Sequence, residues 1–412
     1  MISDIIIQLD PKIDPKSKGK NIRFDIQGKG LHKSIVNGIR RTLLSSIPTV
    51  AFRTEDGNSD MIIKKNNTSL HNEFLSHRIS LIPLYINPSK YKKDYLFHLD
   101  VQNNPNEPIT TITAEDFKIY PLKEGIQLND EGEISIDNYD QSKTLSDKEK
   151  VKIFQPYRFQ SKNEYCIITE LKLTKSSVNQ DLELYGVPSV SFGYEDARWQ
   201  AVSRATYSFK KDEELFQKIL QEKINVNQIQ KKDRIKYEKE LRISESERYF
   251  YRDQNAEPYW YTFTIDSVHY LSSKELFILA IQLIIDQFEL FMKELPKLSV
   301  EENTFMSLSS INEDSIFIIK IQGFDDTIGN IIQSYVSMNM IDDDSILSVC
   351  GYKKKHPLED IILLNLSLNP NNNMFHSNKP QKVVSIIQVL QEASSEIIKS
   401  LSIIQGEADK KL

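Results

Sequence analysis

Cysteine is almost missing from this chain: Cys166 and Cys350 are the only two in 412 residues. Two isolated thiols exclude a disulfide framework and any four-cysteine zinc or iron–sulfur site. A basic excess is missing as well. With 52 Lys and Arg against 58 Asp and Glu, the formal net charge is −6. The chain as a whole is therefore not a phosphate-neutralising surface, although local patches stay open. No apolar run reaches the roughly 20 residues a bilayer span needs. The richest stretch, Leu276 to Leu295, is broken by Gln282, Asp286, Gln287 and Glu289. The opening MISDIIIQLD lacks the charged, apolar and small-residue zones of a secretion signal. These absences predict an intracellular, soluble protein without membrane contact. Glycine is scarce, at 13, while Ile, Asn and Lys abound, as an AT-rich coding sequence produces.

Catalytic patterns are equally thin. No nucleophile–base motif, phosphate loop or metal-ligand spacing occurs. His71 and His77 lie six apart with Glu73 between them, which misses the four-residue metalloprotease spacing. Asp342, Asp343 and Asp344 read as a solvated loop rather than a magnesium site. Cys350 reads as a small buried residue, not a reactive thiol. The expectation is a protein with no cofactor, no metal and no catalysis of its own.

What is present is a core-forming composition, 39% apolar and 27% charged, over a length that suits two or three domains. Ile22, Phe24 and Ile26 alternate with polar residues and predict a half-buried strand. Leu31, Ile35, Ile39, Leu43 and Ile47 follow at steps of four, one face of a helix that Pro48 stops. Arg40 and Arg41 fall off that stripe, toward solvent or a partner. A strand is expected over Thr49–Thr54. Short strands and recurrent Asn, Pro, Asp and Gly between residues 55 and 205 predict a β-rich inserted domain. Residues 210–248 are highly charged and predict one or two solvated helices or a mobile arm.

The strand Tyr261–Ile265 leads into a long helix, opened by Ser272 and Glu275 at capping-box spacing. Phe277, Ile278, Ile281, Leu283, Ile284, Ile285, Phe288, Phe291 and Met292 make it apolar on nearly all sides, so it must be buried against more than one neighbour. After Pro296 a second series begins near Ser315. A strand is expected over Ile316–Ile321, then a helix over Asp326–Met340. Strands near Ile346–Tyr352 and Ile361–Leu368 follow, and a last helix runs from about Lys382 to Ile404. The chain thus reads as two similar modules, each a small sheet with a central helix and a long apolar C-terminal helix. Two such helices bury each other in a pseudo-twofold pair.

Five blocks carry a resemblance. Asn37-Gly38-Ile39-Arg40-Arg41-Thr42-Leu43-Leu44-Ser45-Ser46-Ile47-Pro48 resembles the first helix of the RNA polymerase alpha family, which includes bacterial alpha, its larger archaeal counterpart and the eukaryotic third-largest subunit. The stretch from Asn66 to Leu84 (NNTSLHNEFLSHRISLIPL) is similar to that family's archaeal and eukaryotic motif, with Ser80 where glycine is usual. Gly193-Tyr194-Glu195-Asp196-Ala197-Arg198-Trp199 resembles Gly-x-x-His-Ala-x-Trp, with Asp196 replacing the histidine. In the second module, Asp325-Asp326-Thr327-Ile328-Gly329-Asn330 is similar to the Asp-His-Thr-Leu-Gly-Asn helix start of the smaller partner, the small alpha-like polypeptide of archaeal and eukaryotic polymerases. Cys350-Gly351-Tyr352-Lys353-Lys354-Lys355-His356-Pro357-Leu358-Glu359 resembles that partner's Gly-Tyr-Lys-x-Pro-His-Pro-Leu-Glu, with Lys355 in place of the first proline. The charged stretch at about 210–255 lies outside the resemblance.

The resemblance implies an α+β fold: two alpha-subunit-type dimerisation modules in an intrachain pseudo-heterodimer, plus a β-rich insert. The first module takes residues 1–55 and 206–297, with the charged 210–255 insertion. The β-rich domain takes 56–205 and the small-subunit-like module 300–412. It implies a non-catalytic structural subunit of a DNA-directed RNA polymerase, an assembly platform for the two large catalytic subunits. The polymerase catalytic motif Asn-Ala-Asp-Phe-Asp-Gly-Asp is absent. Implied partners are the largest and second-largest subunits and other small polymerase subunits, with DNA reached only through the complex. Arg40, Arg41, Leu44, Arg78, Lys353 and His356 are the implied large-subunit contacts. Phe277, Ile281, Ile284, Phe288, Ile386, Leu390 and Ile397 are the implied dimerisation positions. The cysteine-bound metal site that cellular relatives often carry in the insert is not expected, since only Cys166 lies there. Fusion of the two partners resembles large cytoplasmic DNA viruses, with the virion and host cytoplasm or nucleus as compartments. The competing expectation is an autonomous DNA-binding or transcription-regulatory protein reusing the same fold.

Overall fold

The computed structural model describes residues 3–10, 19–55, 58–122, 143–159, 162–173, 180–299, 305–312 and 314–412. Among them are eight α-helices: α1 (Lys33–Ser45), α2 (Asn72–Ser80), α3 (Asp147–Ile153), α4 (Glu213–Val226), α5 (Arg234–Glu245), α6 (Ser273–Glu294), α7 (Asp326–Asn339) and α8 (Lys379–Lys411). The chain divides into two compact units. One comprises Met1–Leu43, Arg204–Asp266 and Ser273–Leu412; the other comprises Leu44–Ser203 and Ser267–Ser272. The fold is mixed α+β.

The first unit is built on two four-stranded sheets. In one, the strands follow the order Ser3–Leu9, Asn21–Lys29, Trp260–Ser267, Val202–Phe209; in the other, Met306–Ile311, Ile316–Gln322, Ile361–Leu368, Leu347–Lys354. Apart from α4 and α5, which lie between the third and fourth strands of the first half, each half runs strand, strand, helix, strand, strand, helix. In both sheets the last two strands sit in the same exchanged order. Alternation explains the buried faces. Phe24 opposes Phe263 and Ile26 opposes Tyr261, and all four side chains are sealed from water. Phe277 of α6 meets Phe24 edge-on at 5.0 Å, which lays that helix on the first sheet. In the second sheet Phe317, Ile319 and Ile321 face Ile362, Leu364 and Leu366 across the pairing of the two central strands.

Several elements differ from the sequence-based expectation. The outer strands Ser3–Leu9 and Met306–Ile311 are additional to it. The expected strand at Thr49–Thr54 is broken into Pro48–Ala51 and Thr54–Glu55. The last helix begins three residues earlier than expected, because the Asn378 side chain accepts from Gln381 N–H and Pro380 sits in the first turn. Residues 213–245 form the two charged, largely exposed helices expected there, and not a loose arm. α4 and α5 enclose a small core of Phe216, Leu220, Ile224 and Leu241, flanked by Ile229, Tyr237 and Tyr249. The Arg242 guanidinium covers the Phe216 ring at 4.4 Å and is shared by Glu213 and Glu238.

The second unit is mostly β, with one four-stranded sheet in the order Met61–Asn66, Asp181–Gly186, Tyr95–Gln102, Lys118–Pro121, several two-stranded pairs, and α2 and α3. Phe97, Phe117 and Phe154 centre its core, each pair within about 6 Å.

Candidate interaction site

α6 and α8 pack along each other in the first unit. On α6, Phe277, Ile281, Ile284 and Phe288 are all 0% exposed; on α8, Ile386, Leu390 and Ile397 are at most 1% exposed. The α8 positions Val383, Ile386, Leu390, Ala393, Ile397, Leu401, Ile404 and Ala408 recur every three or four residues, the stripe that a packed helix needs. At the open end, Gln405 Nε2 donates to Gln282 Oε1 at 3.0 Å, and Lys274 Nζ lies 3.3 Å from Asp409 Oδ1. Each buried Phe, Ile or Leu stabilises by roughly 1.5–3 kcal/mol, so this seam dominates any polar contact around it.

The second contact joins the two helices that carry family-like motifs. Gly38 on α1 faces α7 so closely that an added Cβ would lie 2.8 Å from Ile331 Cδ1 and 3.3 Å from Thr327 Cγ2. One turn along, Arg41 reaches the start of α7. Its Nε donates to Thr327 Oγ1 at 3.0 Å and its Nη2 to Asp325 Oδ2 at 3.2 Å, with Asp326 Oδ2 at 4.0 Å. Asp325 is the N-cap: Oδ1 accepts the Thr327 N–H at 2.9 Å while Oδ2 accepts the Thr327 hydroxyl at 2.8 Å. The carboxylate thus satisfies an orphan helix amide and holds the threonine hydroxyl where the arginine can bond to it. On the far side of α7, a Cβ on Gly329 would fall 2.7 Å from the Tyr352 ring, so only glycine lets that ring lie against the helix.

The other predicted contact residues are scattered. Arg40 is half-buried and, among the described residues, donates to Asn37 Oδ1 of its own helix at 3.0 Å. Leu44 is half-buried. In the second unit, exposed Arg78 donates through Nε and Nη2 to the carbonyls of Ile168 and Ile167 at 2.8 and 3.1 Å. Lys353 and His356 are exposed, with His356 Nδ1 accepting the Leu358 N–H at 3.2 Å. The structure brings Arg41 to the second half of the chain, leaves Arg40 half-buried on its own helix, and leaves Lys353 and His356 exposed.

The motif departures have local explanations. Ser80 ends α2 with its hydroxyl donating to His77 O at 2.8 Å, so no left-handed backbone is required of it. Asp196 accepts the Arg198 N–H and so caps the turn Ala197–Trp199. Trp199 is fully buried beneath the guanidiniums of Arg53 and Arg198, at 4.8 and 5.3 Å from its ring. Cys350 is 5% exposed, and burial pushes its thiol up to about 12, the environment of an inert thiol. Asp342, Asp343 and Asp344 form an exposed loop. Among the described residues no group of His, Cys, Asp or Glu is placed to hold a metal ion, and no helix is long and apolar enough to cross a membrane.

Nothing in the sequence pattern pairs Arg41 with Asp325 and Thr327. The N-cap spacing is legible there, but the contact spans 284 residues of sequence, beyond any periodicity.

A two-sheet α+β unit whose halves share one strand order, each followed by a long helix, is consistent with an alpha-like dimerisation fold. Residues 23–288 match the family described as the RNA polymerase Rpb3/Rpb11 dimerisation domain, and the chain belongs to that family. Over 184 residues it is 26% identical to the DNA-directed RNA polymerase subunit Rpo3 of Pyrobaculum aerophilum, covering 44% of this chain and 57% of that protein. Over 95 residues it is 34% identical to the DNA-directed RNA polymerases I and III subunit rpac1 of Dictyostelium discoideum, covering 23% and 22%. Over 81 residues it is 31% identical to Rpo3 of Pyrococcus furiosus, covering 20% and 28%. The matched segments span from about a fifth to just over half of these relatives' lengths.

Proposed function

We propose that this chain is a non-catalytic structural subunit of a multisubunit DNA-directed RNA polymerase, in which an alpha-like subunit and its smaller partner are fused into one polypeptide. The observation that carries the reading is the shared strand order of the two sheets in one unit, with α6 and α8 buried on each other. Separate chains would have to find each other by diffusion. Fused, they pair at an effective concentration of roughly millimolar, so pairing ceases to limit assembly. The domain plan is a discontinuous first module (1–55 and 206–297), a β-rich insert (56–205) and a second module (300–412). The pair then serves as the platform on which the largest and second-largest subunits assemble, through Arg40, Arg41, Leu44, Arg78, Lys353 and His356, of which Arg78, Lys353 and His356 are exposed. Such a fusion resembles those of large DNA viruses, with which the composition is compatible.

The test is purification of the tagged chain from its native source followed by native mass spectrometry. One copy per complex with two subunits above ~100 kDa, well beyond single-domain size, supports the reading. Two copies mean that the chain homodimerises and the second half serves another purpose. Recovery without large partners overturns the polymerase assignment.

A further inference from the structure

The α4–α5 hairpin is an addition to the repeated topology. In the second half, residues 355–360 suffice to join the strands Leu347–Lys354 and Ile361–Leu368; in the first half, the equivalent strands Val202–Phe209 and Trp260–Ser267 are joined through residues 210–259. The fold closes without the longer connection. The hairpin is nevertheless ordered by its own core and by ion pairs along its body, where Arg242 meets Glu213 and Glu238, Lys223 meets Glu245, and Lys211 meets Glu247. With 14 residues in α4, its free end lies roughly 20 Å from its base at 1.5 Å per residue.

Charge is distributed unevenly along it. Glu213, Glu238, Glu240, Glu245 and Glu247 are paired, whereas Lys231, Lys232, Arg234 and Lys239, at the tip and the adjoining turns of α5, have no carboxylate within ion-pair distance among the described residues. Asp233 and Glu222 stand near that end, and the Glu238 and Glu240 carboxylates that flank Lys239 in sequence are taken up by Arg242 and Lys236. In a chain of net charge −6 this is a local cationic patch. Two β-branched apolar side chains stand in it, Val226 at 80% and Ile235 at 70% exposure. The aromatic ring of α5, Tyr237, packs against the hairpin's own core, and its hydroxyl accepts from Asn227 Nδ2 at 3.0 Å, so it offers no open stacking face to a base.

We propose that the tip of this hairpin is a docking surface for an acidic, apolar-bearing protein segment, whose carboxylates face Lys231, Lys232, Arg234 and Lys239 and whose aliphatic or aromatic side chains cover Val226 and Ile235. The mixture favours a peptide over nucleic acid. Phosphates would use the cations alone and leave both apolar side chains wet, and single-strand binders add stacking platforms that this tip lacks. An acidic amphipathic segment uses both features, and such complementarity sets on-rate and specificity.

The test uses the full chain and fluorescence anisotropy with two probes, a short synthetic peptide alternating Asp and Glu with Leu and Phe, and a single-stranded oligonucleotide of equal charge. The native chain is expected to bind the peptide more tightly than the oligonucleotide. Lys231→Glu with Lys232→Glu and Arg234→Glu should weaken the peptide by about tenfold or more, and Ile235→Ser by about threefold. Thermal midpoints should not change, since every altered side chain is exposed; should the triple variant lose stability, Lys239→Glu and Ile235→Ser alone decide. Peptide binding that ignores both variants overturns the proposal. So does tighter oligonucleotide binding that is insensitive to Ile235→Ser, or no peptide binding at all. Co-purification of large partners by the tip variants should match the native chain, which separates this surface from the assembly role.

Discussion

Arg41→Ala removes two hydrogen bonds that tie α1 to the start of α7, one to Thr327 Oγ1 at 3.0 Å and one to Asp325 Oδ2 at 3.2 Å. The Arg41 and Asp325 side chains are 38% and 40% exposed, so water screens the ion pair. Its coupling is therefore about 0.2–1 kcal/mol. The bond to the threonine hydroxyl adds about 0.5–1.5 kcal/mol, for a total near 1–2 kcal/mol. Asp325→Ala removes the same pair and also the helix cap, which is worth about 1 kcal/mol by itself. The double variant should therefore be less destabilised than the two single variants summed, by about 0.5–1 kcal/mol. For a unit of this size each kcal/mol moves the thermal midpoint by about 2–4 °C. Arg41→Lys should fall between, because one ammonium cannot reproduce the planar fork across both acceptors. The assay is thermal unfolding of the full chain in a four-member cycle. Strict additivity, or an Arg41→Ala midpoint equal to the native one, would show that Arg41 serves an outside partner rather than α7. On the present geometry, Arg40→Ala with Arg41→Ala weakens the fold as well as any docking. Arg40→Ala alone is the cleaner probe of a second-largest-subunit contact.

A protease site placed between residues 299 and 305 and then cut should leave the two parts co-eluting on size exclusion. Leu390→Asp should separate them, since an unpaired charge in that seam costs about 4 kcal/mol or more; parts that separate without the mutation refute the buried helix pair. Cys350, held at about 12 by burial, should resist iodoacetamide at a pH of about 8 until denaturant is added, while Cys166, whose thiol is also raised by partial burial but whose side chain is exposed, is alkylated faster in the folded chain. Equal labelling of both in the folded chain, read by peptide mapping, would contradict the packing around Cys350. Hydrogen bonds from Arg242 and Gln217 hold the Glu213 carboxylate at about 2, below its ordinary 4.5. A depressed folded value gives stability that is complete above about 4.5 and is lost as the pH falls toward 2. The difference in hydrogen-exchange protection of α4 and α5 between the native chain and Glu213→Gln should therefore be present near neutral pH and vanish across that window. A difference that persists at pH 2 would refute the pairing.

Local periodicity was enough for the elements whose burial is regular. α6, α7 and the strand Ile361–Leu368 lie within a residue or so of their expected ends, because each carries an uninterrupted apolar stripe on the period of its own backbone. The outer strands Ser3–Leu9 and Met306–Ile311 are hard to read because an edge strand pairs on one side only and its pattern is weaker. The end of α8 is hidden for another reason. Residues 405–411 are mostly polar, and the helix continues there because Ala408 is buried and Asp409 meets Lys274 of α6.

The motifs, the repeat of two sheet-and-helix modules and the apolar helices needing cover could all be read from residues near each other in the chain. That followed because turns, caps and stripes are decided within a few residues. Which surfaces meet was not legible in that way. Arg41 with Asp325 and Thr327, Gly38 with Ile331, and Gln282 with Gln405 are each separated by more than a hundred residues. In the charged stretch of residues 210–248, only the tertiary structure shows Phe216, Leu220, Ile224 and Leu241 enclosing one another, which distinguishes a packed hairpin from a loose arm. Long-range contacts are selected by the packing of whole elements, where close fit between side chains distant in sequence chooses among pairings that local propensity leaves equal.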